Sequence, residues 1–201
     1  YLVSSTDRGR TWRSIAGDLP DRHLVWRVVQ DHVQPSLLFA ATELGLFFSP
    51  DGGGRWVELT GGVPTIAFRD LAVQRRDDDL VAASFGRGIF VLDDYAPLRA
   101  VSGQALARPA TLFGVRRAWW YRERETLGSS GPAEQGASHF VAPNPPFGAV
   151  FTYCLREPLR SRKEQRRAQE LPREAKGEDT PYPGWEELDR EAREEPPAVL
   201  L

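Results

Sequence analysis

Between Leu2 and Leu92 the chain runs as short apolar stretches, each closed by a cluster of Gly, Pro, Asp or Ser. Stretches this brief, rich in Val, Ile, Phe and Trp and punctuated by turn residues, predict β-strands rather than helices. A first strand is predicted over Trp26 to Asp31, followed by a turn through Gln34, Pro35 and Ser36. A second covers Leu37 to Thr42, with a turn at Glu43-Leu44-Gly45, a third covers Leu46 to Ser49 and a fourth about Arg55 to Leu59. Before this unit only the end of a similar one is present, up to about Ile15; after it, three further strands begin near Ala67 and end with Ile89 to Leu92.

The pattern repeats. Ser5-Thr6-Asp7-Arg8-Gly9-Arg10-Thr11-Trp12 returns as Ser49-Pro50-Asp51-Gly52-Gly53-Gly54-Arg55-Trp56, with Asp51 placed 44 positions after Asp7. Leu38-Phe39-Ala40-Ala41-Thr42 matches Leu80-Val81-Ala82-Ala83-Ser84 at an offset of 42, and Trp26-Arg27 matches Phe68-Arg69 at the same offset. Gly45-Leu46-Phe47 matches Gly88-Ile89-Phe90 at 43, so the intervening turn has gained a residue. A period in the low forties, built of short strands and tight turns, is that of a β-propeller blade. The expected fold is mainly β: a partial propeller of four-stranded antiparallel blades, followed by a strand and loop segment and charged helices.

The recurring Ser-x-Asp-x-Gly-x-x-Trp box reads as turn chemistry. An Asp at the start of a turn accepts hydrogen bonds from main-chain N–H groups further on, and the Ser hydroxyl can bond the same turn. Gly9 and Gly53 can take positive φ, which other residues resist. Trp12 and Trp56 are expected to bury their rings between sheets on the outgoing strand. A calcium loop needs several oxygen ligands, and each box supplies one carboxylate, so Ser5, Asp7, Gly9, Trp12, Ser49, Asp51, Gly53 and Trp56 are expected to be structural. No catalytic residue, metal ligand or cofactor is assigned.

These boxes resemble those of the Asp-box (bacterial neuraminidase repeat) propellers, which include sialidases, xyloglucanase-type glycoside hydrolases and sortilin-type receptors. The likeness to large exported bacterial glycosyl-hydrolase-like and sortilin-like proteins extends through Ala40 to Phe47, Arg69 to Val73 and Phe85 to Asp94. It continues in Ala142-Pro143-Asn144-Pro145-Pro146-Phe147-Gly148-Ala149-Val150-Phe151-Thr152-Tyr153, which in such proteins opens an immunoglobulin-like module. The resemblance implies C-terminal blades over 1–95, a linker and propeller-edge segment over 96–141, and the start of that module with a charged helical insertion over 142–201. It implies a secreted or periplasmic parent, and the remaining blades and the module as partners within the parent chain. The arginine cluster, tyrosine and acid that sialidases use have no residue-by-residue match.

Beyond the repeat, a short helix is expected at Ser102 to Ala107, with strands at Ala110 to Phe113, Ala118 to Tyr121 and Gly148 to Leu155. Thr126 to Ser138 reads as a polar loop. Pro158 to Leu171 has helical composition without an apolar stripe, whereas Trp185 to Glu195 carries Trp185, Leu188 and Ala192 on one face and is expected to dock through Trp185. From Leu155 onward, ten Lys/Arg and twelve Asp/Glu hold 22 of the chain's 54 charges.

Charge and composition narrow the function classes. A net charge of −2 and a basic run, Arg160 to Arg167, interrupted by Glu164 argue against a nucleic-acid binder. No apolar run approaches the roughly 20 residues that span a bilayer, and no signal peptide stands at Tyr1. Cys154 is the single cysteine and reads as a small strand hydrophobe. Without Met, and with strand-like runs at Tyr1 and at Leu201, both ends read as cut. Strand alternation puts the Asp boxes on one face and the turns holding Glu43, Leu44, Phe85, Gly86 and Arg87 on the other. Glu43, Arg69 and Arg87 are the candidate ligand contacts there, and Ile66 and Phe68 are assigned to the core. Asp77-Asp78-Asp79 reads as a solvated bend, and His23, His32 and His139 lack ligand spacing. Two functions follow: a non-catalytic module that recognises glycan or protein, or part of a glycoside hydrolase whose catalytic groups lie on other blades.

Overall fold

The computed structural model describes residues 1–118, 120 and 147–195. The chain divides into two compact units, Tyr1–Cys154 and Leu155–Leu201. In the first, β1 (Val3–Ser4) and β2 (Arg13–Ser14) form an antiparallel pair. A four-stranded sheet follows in the order β3 (Val25–Gln30), β4 (Leu38–Thr42), β5 (Gly45–Ser49) and β6 (Val57–Glu58). A three-stranded sheet takes β7 (Phe68–Gln74), β8 (Asp79–Ser84) and β9 (Ile89–Leu92), again antiparallel and in chain order. The architecture is therefore mainly β, built of sequential antiparallel strands.

The middle sheet is apolar on both sides, and this explains its composition. Phe39, Ala41, Leu46 and Phe48 pack with Phe68, Leu71, Leu80, Ala82 and Tyr95 of the following sheet and its outgoing segment. Leu38, Ala40, Phe47 and Trp56 pack with Ile15, next to β2. Every residue of β4 and β5 is buried, so both are written as unbroken apolar runs instead of alternating ones. Each large side chain so buried contributes about 1.5–3 kcal/mol. Ile66 and Phe68 belong to this core, as their sequence position suggested.

Both long sheets begin with a β-bulge. Val25 pairs with Thr42 and Arg27 with Ala41, leaving Trp26 as the extra residue; Phe68 pairs with Ser84 and Asp70 with Ala83, leaving Arg69. Trp26 is thus the equivalent of Arg69, 43 positions on, and not of Phe68 as the sequence offset of 42 suggested. The first strand keeps the longer spacing and the second strand the shorter one.

After β9, a 3₁₀ turn at Ala96–Ala100 leads to α1 (Gly103–Ala107), N-capped by the Ser102 hydroxyl, and to β10 (Ala110–Leu112). β10 pairs with β11 (Tyr153–Leu155). The strand expected over Gly148 to Leu155 is much shorter, covering Tyr153–Leu155 alone, and Gly148 stands outside it at φ +104°. Ala118 and Trp120 are not in a strand; residues 119 and 121, the polar loop 126–138 and His139 lie outside the described residues.

The second unit holds α2 (Arg162–Glu174) and α3 (Trp185–Arg193). A capping box starts α2: the Ser161 hydroxyl accepts from the Glu164 N–H, and the Glu164 carboxylate accepts from the Ser161 N–H. The two helices are joined ionically by Arg166, which bonds Glu191 of α3 at 2.6 and 2.9 Å and is held on its own helix by Glu170 at 2.8 Å. Trp185 does not dock: it is 81% exposed, with Tyr182 beside it. α2 offers no apolar stripe to receive the ring. No described helix is long and apolar enough to cross a membrane.

Candidate functional site

The two Asp boxes are closed within their own turns. In the first, the Ser5 hydroxyl donates to Asp7 Oδ1 (2.9 Å), which also accepts from the Thr11 N–H (2.8 Å), while the Thr11 hydroxyl donates to Oδ2 (2.7 Å). In the second, Asp51 Oδ1 accepts from the Ser49 hydroxyl and from the N–H groups of Gly54 and Arg55, each at 2.9 Å. The Ser49 hydroxyl in turn accepts from the Gly53 N–H at 2.8 Å. Gly9 and Gly53 stand at φ +85° and +94°. The Thr11 N–H and hydroxyl hold the Asp7 carboxyl down to about 2. Burial pushes Asp51 up, but its Arg55, Ser49 and Gly54 donors outweigh that and lower it. Carboxyls held ionised in this way are poor proton donors near neutral pH.

The two tryptophans differ. Trp56 is 6% exposed, and its Nε1–H donates to the Ile15 carbonyl at 3.0 Å, tying the second box to the strand pair before it. Trp12, expected to be buried in the same way, is 63% exposed and donates only to Gly9 O within its own turn. Among the described residues there is no sheet ahead of β1 for its ring to meet.

At this same end lies a buried polar network that the sequence did not suggest. The Gly52 N–H bonds Ser36 O (2.7 Å), which places the second box beside the β3–β4 turn. Within that turn Asp31 has a fully buried side chain, and its carboxylate accepts from Tyr95 Oη–H at 2.6 Å and from Arg99 Nε and Nη2 at 2.9 Å each. Arg99 also bonds both oxygens of Asp78, in the β7–β8 turn, at 2.9 and 2.6 Å. Burial alone would push Asp31 up, but Arg99, Tyr95 and the Gln34 N–H together hold it far below the usual carboxylate range. Burial and the adjacent Asp31 charge push Tyr95 up. Asp31, His32 and Asp78 bring ligand atoms within 4.8 Å of one another, as a metal site would. The Arg99 guanidinium already bonds both carboxylates, so the group works as an ionic clasp between two sheets and the segment after β9.

The acidic bend is correspondingly not a solvated run. Asp77 accepts from Gln74 and Arg76, Asp78 pairs with Arg99, and Asp79 accepts the Asp94 N–H at 2.9 Å. Asp78 itself stands at φ +60° in this bend, and its carboxylate meets Arg99. The charged groove between α2 and α3, lined by Arg162, Arg166, Glu187 and Glu194 among others, is likewise internally paired.

The opposite end is different. Here the Glu43 N–H bonds Leu24 O, Gly45 N–H bonds Ile66 O and Phe85 N–H bonds Ala67 O, so the β4–β5 and β8–β9 turns are fastened to the strand starts. On this rim the bulged Arg69 lies with its guanidinium carbon 3.7 Å from the ring centre of the bulged Trp26 and 5.0 Å from that of Phe85. Bulges re-aim side chains, and here two equivalent ones bring a cation onto an aromatic ring. Trp26 is 40% and Phe85 69% exposed. Arg27, adjacent, pairs with Asp70 at 3.3 Å, whereas Arg69 has no carboxylate partner among the described residues.

Of the three candidate contacts, Arg69 therefore enters a defined assembly. Glu43 and Arg87 sit in the two rim turns and make no ion pair among the described residues. Trp26 and Phe85 were missed; the signal available was an aromatic at the start of a first strand and another beside a Gly-rich turn. No protein-family model, curated protein or solved structure matches the chain.

Proposed function

We propose that this chain forms the C-terminal blades of an Asp-box β-propeller in a larger exported glycosyl-hydrolase-like or sortilin-like protein, and acts there as a non-catalytic module that recognises a glycan or protein. The blade reading rests on two long antiparallel sheets of one period that share one apolar cluster, Phe39 and Phe48 on the first and Phe68 and Leu71 on the second, with an Asp box after the third strand of the first. The recognition reading is carried by one observation: the Trp26–Arg69–Phe85 stack, exposed on the rim opposite the Asp boxes. The box carboxylates are engaged by the donors of their own turns, and ligand contact is left to that rim.

The test is a glycan and peptide array probed with the chain and with its Trp26→Ala variant. Retention of one ligand class, weakened about tenfold or more by Trp26→Ala and unchanged by the remote Arg55→Gln, is the expected outcome. No turnover of aryl glycosides is expected. Turnover that disappears in Glu43→Gln would replace the recognition module with a glycoside hydrolase.

A further inference from the structure

We infer that the rim stack is a carboxylate subsite for an acidic polysaccharide, one built of hexuronic acid units. This rests on the reading of that rim as the recognition face and names its ligand. Arg69 is the deciding group. Contact with the rings of Trp26 at 3.7 Å and Phe85 at 5.0 Å holds the guanidinium on the rim without taking up any hydrogen-bond acceptor. The N–H fork stays open, with no acceptor among the described residues. That fork matches a carboxylate in two parallel hydrogen bonds, which a lysine ammonium cannot reproduce. Pre-stacking also lowers the ordering cost of binding, because the long side chain is already held.

The surroundings favour a sugar chain over an acidic peptide. A peptide adding to a sheet edge draws its affinity from main-chain pairing. The rim turns do not offer it: the N–H groups of Glu43, Gly45, Ser84 and Phe85 are bonded to Leu24 O, Ile66 O, Gly88 O and Ala67 O, and that of Leu44 to the Thr42 hydroxyl. What the rim does present is exposed ring surface, Phe85 at 69% and Trp26 at 40%, against which the C–H face of a pyranose can lie. Arg87, two positions beyond Phe85 in the same turn, adds a second positive charge to the rim.

Calorimetric titration of the whole chain with galacturonate oligomers, neutral galactose oligomers of equal length and polyglutamate tests this. Binding of the uronate alone is expected, weakened about tenfold or more in both Arg69→Gln and Arg69→Lys, the latter keeping the charge but not the fork. Arg55→Gln, at the opposite end, is expected to bind as the parent does. Equal binding of the neutral oligomers would overturn the carboxylate subsite while leaving glycan recognition standing. Equal binding of polyglutamate would overturn the choice of a saccharide. Uronate binding that survives both Arg69 variants would overturn the assignment to this stack, and failure to retain any array ligand would remove the recognition reading as well.

Discussion

A carboxylate that is fully buried needs its charge met in place, and Asp31 is met by the Arg99 fork, by Tyr95 Oη–H and by the N–H groups of Val33 and Gln34. Removing Arg99 leaves that charge uncompensated, so Arg99→Ala is expected to cost about 3–5 kcal/mol. Tyr95→Phe removes one hydrogen bond to a charged group and should cost about 1.5–3 kcal/mol. The pH dependence has a definite sign. Asp31 titrates far lower in the folded chain than its unfolded value of about 3.9, so its stabilisation is complete above that value and is lost as pH falls below it. Thermal melting between about pH 5 and pH 2 should show the parent losing stability more steeply than Asp31→Asn, which starts lower and has no such proton to bind. Parallel slopes would show that Asp31 is not the group responsible. Asp7 and Asp51, both lowered, add to the acid sensitivity that remains in the variant.

At the scale of the element, the second Asp box is a fitted part and not only a local turn. Gly53 stands at φ +94°, and a Cβ there would lie 2.5 Å from Ile15 Cβ and 2.6 Å from Ile15 O. Gly53→Ala therefore meets both a left-handed backbone, at about 1–2 kcal/mol, and overpacking, at about 1–3 kcal/mol. Gly62, at φ +75° with nothing within 4 Å, supplies the control in which Gly62→Ala meets the backbone cost alone. Denaturant midpoints of the two variants should differ by the steric part; equal midpoints would mean that Ile15 yields freely. The box was legible because its chemistry is local: Ser49, Asp51 and Gly53 solve one turn within five residues. The strands β3 to β5 and β7 to β9 were legible for the same reason, as short apolar runs between turn residues. What the sequence hid is non-local. Nothing near Asp31 announces that Tyr95 and Arg99 will reach it, and Trp26 becomes the partner of Arg69 only because each sheet inserts one bulged residue, a register detail that identity matching placed one position off.

Taken whole, the first unit carries its repeat in unequal pieces, and this predicts how it behaves in solution. The middle sheet closes with β6, which covers the outer edge of β5; there the Leu59 N–H bonds Leu46 O and Phe48 pairs with Val57. In the third sheet the equivalent residues, Ile89 and Val91 of β9, face an edge that no strand pairs among the described residues. Their side chains are 70% and 55% exposed, where Leu46 and Phe48 are buried. Unpaired main-chain groups beside exposed aliphatic side chains make a template for another chain, and no charge lies within Ile89 to Leu92 to discourage it. The isolated chain is therefore expected to associate as its concentration rises, seen as growing mass by light scattering or small-angle scattering. Val91→Lys places a charge on that surface, at a position whose side chain is already in solvent, so it should suppress the association while leaving the melting temperature within a few degrees of the parent. A parent chain that stays monomeric across the same concentrations would mean that the edge is already protected. Association undiminished in Val91→Lys would move its cause elsewhere on the surface, with the exposed Trp12 beside the first box the next residue to replace.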